Sequence, residues 1–574
     1  MQAISNLKPV TLAMTAVLVM ACMPGQAPQQ KASPGKASTA TVEVEENRLQ
    51  VPVEAKKEAM DAIKSMPAAA LQSHARNAQL ADWQAGLPIR AASEPVDREL
   101  YAHFNDNPVR RVAETPVSTF SIDVDTGAYS NVRRMLNAGR LPVQDAVRVE
   151  EMINYFAYDY PQPEQKETPF RVTTEIGPNP WNQHTQLLQI GIRGYDIARD
   201  KLPPANLVFL VDVSGSMQSA NKLALLKSGL KLLTRQLRKQ DRLSLVVYAG
   251  ASGVILEPTS GDQQAKIIRA LDGLTAGGST NDADGIRLAY HLAEEAFIKN
   301  GINRVLLATD GDFNVGTVSF EALQDLIEEK RKTGISLTTL GFGSGNYNDR
   351  LMEQLADRGN GNYAYIDTLN EAQKVLVDEM GSTLQTIAKD VKIQIEFNPE
   401  VVAEYRLIGY ENRSLRREDF SNDKIDAGDI GAGHTVTALY EISLTGSKGV
   451  RIEPLRYGRK EKPGSRHAGE LAMLRLRYKQ PDDDSSRLLE KPVRSAAMIK
   501  TLQATSERFR FAAAVAGFGQ LLRGGEYLET FGFDDVLELA RESRGRDPFG
   551  YRGEFIKLVN LAGSLAGSEV HATR

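Results

Sequence analysis

The stretch Asn206–Met217, NLVFLVDVSGSM, decides the fold. An apolar run ends in an aspartate, and two serines follow around a glycine. A short continuous apolar run bounded by turn residues reads as a strand buried on both faces. Outward from it the pattern repeats to about residue 388. RLSLVVYA, GVILE, NRVLLATD, ISLTTLGFG and NYAYID read as further strands. Between them lie helical segments, KLALLKSGLKLLTRQL, DGIRLAYHLAEEAFI and FEALQDLIEEKRKTG. The first carries Leu223, Leu225, Leu226, Leu230, Leu232 and Leu233 as a core stripe. Alternating strands and helices predict an α/β domain over 205–388, a doubly wound, mainly parallel sheet covered on both faces.

In such a sheet, ligands bind beyond the carboxyl ends of the strands. Three of those loops carry oxygen donors: DVSGSM with Asp212, Ser214 and Ser216, GGSTND with Ser279, Thr280 and Asp282, and ATDGD with Asp310 and Asp312. A strand-end carboxylate with hydroxyls at the second and fourth positions beyond it can curl round one point. Gly215 eases that turn. The donors are hard oxygens with no His or Cys nearby, which excludes a typical zinc site and favours Mg²⁺, Mn²⁺ or Ca²⁺.

The pattern D-x-S-x-S, a distant Thr and then TDG resembles the metal-ion-dependent adhesion site of von Willebrand factor type A (VWA) domains. The resemblance places metal ligation on Asp212, Ser214, Ser216, Thr280 and Asp310. It implies that the hydroxyls bind the metal directly and that the aspartates often act through water. The open metal position then takes a carboxylate from a protein partner.

The flanks differ in pattern. VSTFSIDV, FRVTTEI and TQLLQIGIRGY read as strands within 111–200, and GAYSNVRRMLNAG as a helix closed by Gly139. VKIQIEF, TVTALYEISL and ELAMLRLRY, within 389–480, suggest an antiparallel sheet with one wet face. Segments 111–200 and 389–480 form either one β domain with the α/β unit inserted or two separate ones. Residues 481–574 are expected to be helical. FSIDVDTGAYSNVRRMLNAGRLP, RVEEMINYFAYDYP, GFGSGNYND and GNGNYAYIDTLNEA resemble a bacterial family of A-domain lipoproteins with its own N- and C-terminal regions. Asp123, Asp125 and Thr126 in this likeness read as capping or packing residues, with a second metal site as the alternative.

The N-terminus reads as a signal peptide over 1–22, with Lys8 before a short apolar run. VMAC resembles a lipobox, which would make Cys22, the only cysteine, the lipid-bearing first residue. Met23 in place of Asp implies the outer membrane of a Gram-negative envelope. Residues 23–110 are expected to form a flexible tether. A net charge of −4 with no basic face gives no sign of nucleic-acid binding.

The function expected is therefore a lipid-anchored, metal-dependent protein-binding module rather than an enzyme. A metal-stabilised scaffold is one alternative. A metal-assisted hydrolase is another, but no His or Glu lies in the three loops to act as base, leaving Asp282 and Asp312. Asp310, Asp312, Asn314 and Glu321 also fall on EF-hand positions, but Val315 stands where the loop needs glycine.

Overall fold

Strand β1, Ala205–Asp212, is buried at all eight positions, as its unbroken apolar sequence requires. It lies within a six-stranded sheet with β2 Arg242–Tyr248, β3 Ser252–Ser260, β4 Ile302–Thr309, β5 Ser336–Phe342 and β6 Tyr363–Ile366. The order is β3-β2-β1-β4-β5-β6, parallel throughout except for the β2–β3 pair. The computed structural model describes residues 99–164, 168–278, 282–311, 319–456, 467 and 469–572, all within a unit running from Ser93 to Arg574. Cys22, the signal segment and tether residues 23–98 lie outside the described residues, whereas 99–110, expected as tether, pack on the folded unit: Leu100 N–H donates to the Tyr347 carbonyl and Arg110 pairs with Tyr405.

Successive side chains of a strand point to opposite faces. Leu207, Phe209 and Val211 accordingly enter one core with Leu226, Leu230 and Leu233 of the helix Leu225–Thr234. Val208 and Leu210 enter a second core on the other face, with Ile286, Tyr290, Leu323 and Ile327. Leu225 and Leu232 lie at the half-buried margin of their stripe. The chain leaves β1 toward β2 and β3, then returns to β4 on the other side of β1. That reversal opens a crevice between the ends of β1 and β4.

Two antiparallel sheets flank this unit, and both draw strands from before and after it. In the first, Gln186–Gly194 pairs with Thr435–Leu444, and Arg110–Arg111 with Val402–Ile408. In the second, Val117–Ser121 pairs with Thr386–Phe397. One core joins them, with Ile190 and Tyr440 from the first sheet meeting Ile393, Ile395 and Leu474 from the second.

Two expectations need correction. Thr435–Leu444 is buried at every interior position and has no wet face. A helical layer covers its second side, where Leu439, Leu187 and Ile408 pack with Phe509, Phe518 and Phe555. The region after 480 is also not all helical: Ser486–Arg494 is a strand antiparallel to Glu470–Lys479. Only then come the helices Glu507–Leu522, Phe533–Glu542 and Tyr551–Ala572. The first of these is Ala-rich and buried nearly all round, as befits a helix with no polar stripe. No helix among the described residues is long and apolar enough to cross a membrane.

Candidate functional site

The crevice at the strand reversal is where the sequence places its oxygen donors. Asp212 ends β1, and Asp310 follows β4; both are fully buried. The Asp212 carboxylate is held from two sides. Its Oδ1 accepts the Ser214 backbone N–H at 2.8 Å, and its Oδ2 accepts the Thr309 hydroxyl at 2.9 Å. Burial pushes its pKa up to about 6; the Ser214 hydrogen bonds oppose the rise, and the nearby Asp310 charge adds to it.

After Asp212 the chain turns through an extended Ser214 into a short 3₁₀ turn, Gly215–Gln218. This brings the Ser214 and Ser216 hydroxyl oxygens to 3.0 Å from each other. The GGSTND loop is tied to this turn through the backbone. Gly215 N–H donates to the Gly278 carbonyl at 3.1 Å, and Gly277 N–H to the Val213 carbonyl at 2.7 Å. Gly278 takes φ +96°, a conformation open to glycine. Thr280 and Asp312 lie outside the described residues, as does the side chain of Asp282. The described part of this loop reaches Gly278, two residues short of Thr280.

Two residues not singled out from sequence also border Asp310. Lys222 Nζ donates to Asp310 Oδ2 at 2.8 Å and to Asn346 Oδ1 at 3.1 Å, and the lysine is only 6% exposed. Asn346 belongs to the loop after β5, and the chain's N-terminal side docks on that same loop. Glu99 Oε1 accepts the Gly345 N–H at 2.8 Å, and Leu100 N–H donates to the Tyr347 carbonyl at 2.9 Å. The signal for Lys222 was present: it lies on the stripe of Leu226, Leu230 and Leu233, where a charge has to be paired.

Whether these donors suit a metal depends on their chemistry. Among the described residues no three His, Cys, Asp or Glu side chains converge as metal ligands. The donors in the crevice are instead paired hydroxyls flanked by buried carboxylates, the set a hard cation accepts while keeping waters. The residues present therefore fit Mg²⁺, and equally Mn²⁺ or Ca²⁺.

The second motif serves packing, not capping. Thr126 makes no side-chain cap to the helix Gly127–Asn137, and Ala128 N–H donates instead to Glu151 at 2.7 Å. Asp125 Oδ1 accepts the Tyr363 N–H at the start of β6 at 2.8 Å. Arg413 reaches Asp123 and Asp125 at 3.4 and 3.2 Å. SIDVDT thus fastens the flanking region to the edge of the central sheet.

Comparison with known proteins identifies the family to which this fold belongs. The family model of the von Willebrand factor type A domain matches residues 206–379, one described as von Willebrand factor matches 95–189, and one described as the C-terminal part of uncharacterized protein YfbK matches 382–565. The uncharacterized protein YfbK of Escherichia coli is 50% identical over 469 residues, 80% of each chain. Inter-alpha-trypsin inhibitor heavy chain H4 of Homo sapiens is 30% identical over 148 residues, 24% of this chain and 16% of that protein. A solved von Willebrand factor type A structure from Catenulispora acidiphila is 15% identical, with a TM-score of 0.37 over 68% of this chain and 89% of that one, too loose a superposition to carry an argument. The extent of the YfbK match and the VWA model over the central sheet place this chain in the bacterial family of VWA-domain proteins to which YfbK belongs.

Proposed function

We propose that this protein is a lipid-anchored component of the cell envelope whose VWA domain captures a protein partner through a divalent metal. Ser214, Ser216 and Thr280 would hold the metal, with Asp212 and Asp310 beside it, and Mg²⁺, Mn²⁺ or Ca²⁺ would supply the electrophilic centre for a partner's carboxylate. The observation that carries this reading is the convergence of the Ser214 and Ser216 hydroxyls, 3.0 Å apart, next to a buried Asp212 whose two oxygens are already oriented. The anchor would be a lipid on Cys22 in the outer membrane, with adhesion and envelope assembly as the roles that fit.

A purely structural metal is less well supported. The DVSGSM and GGSTND loops are already joined by backbone hydrogen bonds that need no metal. Hydrolysis would need a general base, and the three loops contain neither His nor Glu.

The test is crosslinking and pull-down from cells carrying the wild type or Asp212→Ala, with and without EDTA. The wild type should capture a partner that both EDTA and the substitution release. Capture unchanged by either would overturn the reading.

A further inference from the structure

The buried cation beside the crevice is placed with more care than a surface lysine needs. Lys222 departs from helical dihedrals (φ −118°, ψ −109°) in the turn before the helix Leu225–Thr234. Its stem runs against Gly343, which has φ +81°; a Cβ there would fall 2.2 Å from Lys222 Cε. Only glycine leaves room for this side chain. The ammonium is then shared between Asp310 and Asn346, at 2.8 and 3.1 Å. Four features on three segments, the kink, the glycine and asparagine of one loop, and the aspartate, converge on one charge.

We propose that Lys222 is a resident counter-charge that weakens metal binding at this site and strengthens the bound metal's hold on an anionic ligand. The inference rests on the metal-site reading given above. Asp212 and Asp310 bring two negative charges to the crevice, and Lys222 cancels one. A divalent ion that arrives must share Asp310 with the ammonium and is repelled by it. Among the described residues, the bound ion with Asp212, Asp310 and Lys222 carries a net positive charge, and without the lysine that charge is one unit lower. A less positive site holds a carboxylate less strongly. Removing the charge should therefore move two affinities in opposite directions, which a merely damaged site would not do.

The experiment uses the full chain with Lys222→Met, which keeps the apolar stem, and Lys222→Gln, which keeps a donor for Asp310. Lys222→Arg retains the charge. Mn²⁺ affinity is read by titration calorimetry on EDTA-stripped protein. Carboxylate affinity is read from the water-proton relaxation of bound Mn²⁺ as acetate displaces coordinated water. Met and Gln should bind Mn²⁺ roughly tenfold tighter or more, the scale of one charge–charge term in a partly buried site. Both should need more acetate than the wild type, and Arg should do neither. If Met fails to fold, Gln carries the comparison. Wild-type binding of Mn²⁺ with equal or weaker binding by Met and Gln would overturn this inference alone, as would tighter metal binding with unchanged or tighter acetate binding. Absence of Mn²⁺ binding by every protein would overturn the metal-site reading and this inference with it.

Discussion

Thr309 is a sharp probe of how the fold prepares Asp212. It is fully buried at the end of β4, donates to Asp212 Oδ2 at 2.9 Å and accepts the Gly311 N–H at 3.2 Å. Thr309→Val keeps the shape and removes both bonds. Loss of a hydrogen bond to a charged group costs about 1.5–3 kcal/mol, and an unsatisfied buried N–H about 1–3 kcal/mol. Some relaxation is expected, so the combined loss should be about 3–5 kcal/mol. Thr309 is not a ligand in this scheme; it positions one, and losses of such partners typically lower metal affinity about 10–100-fold. The matched control is Thr339→Val on β5, which breaks a buried 2.9 Å bond to the Met352 carbonyl away from the three loops. Both variants should melt below the wild type in thermal denaturation. Only Thr309→Val should lose Mg²⁺ affinity by titration calorimetry. Equal Mg²⁺ affinity in all three proteins would refute the idea that β4 orients the β1 carboxylate for metal.

Gly311 takes φ +81°, and a Cβ there would lie 2.5 Å from the Asn348 backbone nitrogen. Gly311→Ala should therefore lower both melting temperature and Mg²⁺ affinity by pushing the Asp310 turn away from the loop that carries Asn346; a wild-type melt would refute this. Leu439→Ala should cost about 2–5 kcal/mol in thermal or denaturant unfolding, because its side chain faces the helical layer and not water. A loss typical of an exposed leucine would argue against that layer. Burial, with Glu411 and Asp123 nearby, holds the Glu150 carboxyl well above the usual range, and its Oε2 has no hydrogen-bond partner. A carboxyl whose folded pKa exceeds its unfolded value stabilises the fold while protonated, and this contribution is lost as pH rises from about 4.3 through the folded value. Burial pushes Glu151 up to about 8, so it acts in the same sense. These two groups should thus lower the melting temperature as pH rises from about 4.3 to about 8, and lower it less in Glu150→Gln; parallel profiles would refute the assignment.

What the sequence hid follows from where charge and polarity go once the chain is folded. The central sheet was legible because its signals are local: apolar strands, helix stripes, and DVSGSM at a strand end. TVTALYEISL was misleading for a physical reason. Val436, Ala438, Tyr440 and Ile442 alternate with Thr437, Leu439, Glu441 and Ser443, so the second set reads as a solvated face. Its polar members are buried and partnered from distant segments, Thr437 by Tyr160 at 2.9 Å and Glu441 by Arg406 at 3.1 Å. Alternation distinguishes two faces of a strand, but it does not say that the polar face is wet. The pairing of Val117–Ser121 with Thr386–Phe397 was open for a similar reason, since period-two patterning fixes a face and leaves the partner strand unnamed.

Lys222 extends the same logic to the site. A lysine four residues before Leu226 on a core stripe cannot remain both charged and unpaired, because burying an isolated ammonium costs more than its stem packing returns. The counter-charge therefore has to come from a loop that reaches the amino-terminal end of that helix. In a doubly wound sheet those loops lie at the carboxyl ends of the strands, where β4 delivers Asp310. The lysine and the aspartate are 88 residues apart in sequence, and the topology brings them to one end of the sheet. On the metal-site reading proposed above, Asp310 is thus already engaged by a cation before any metal arrives.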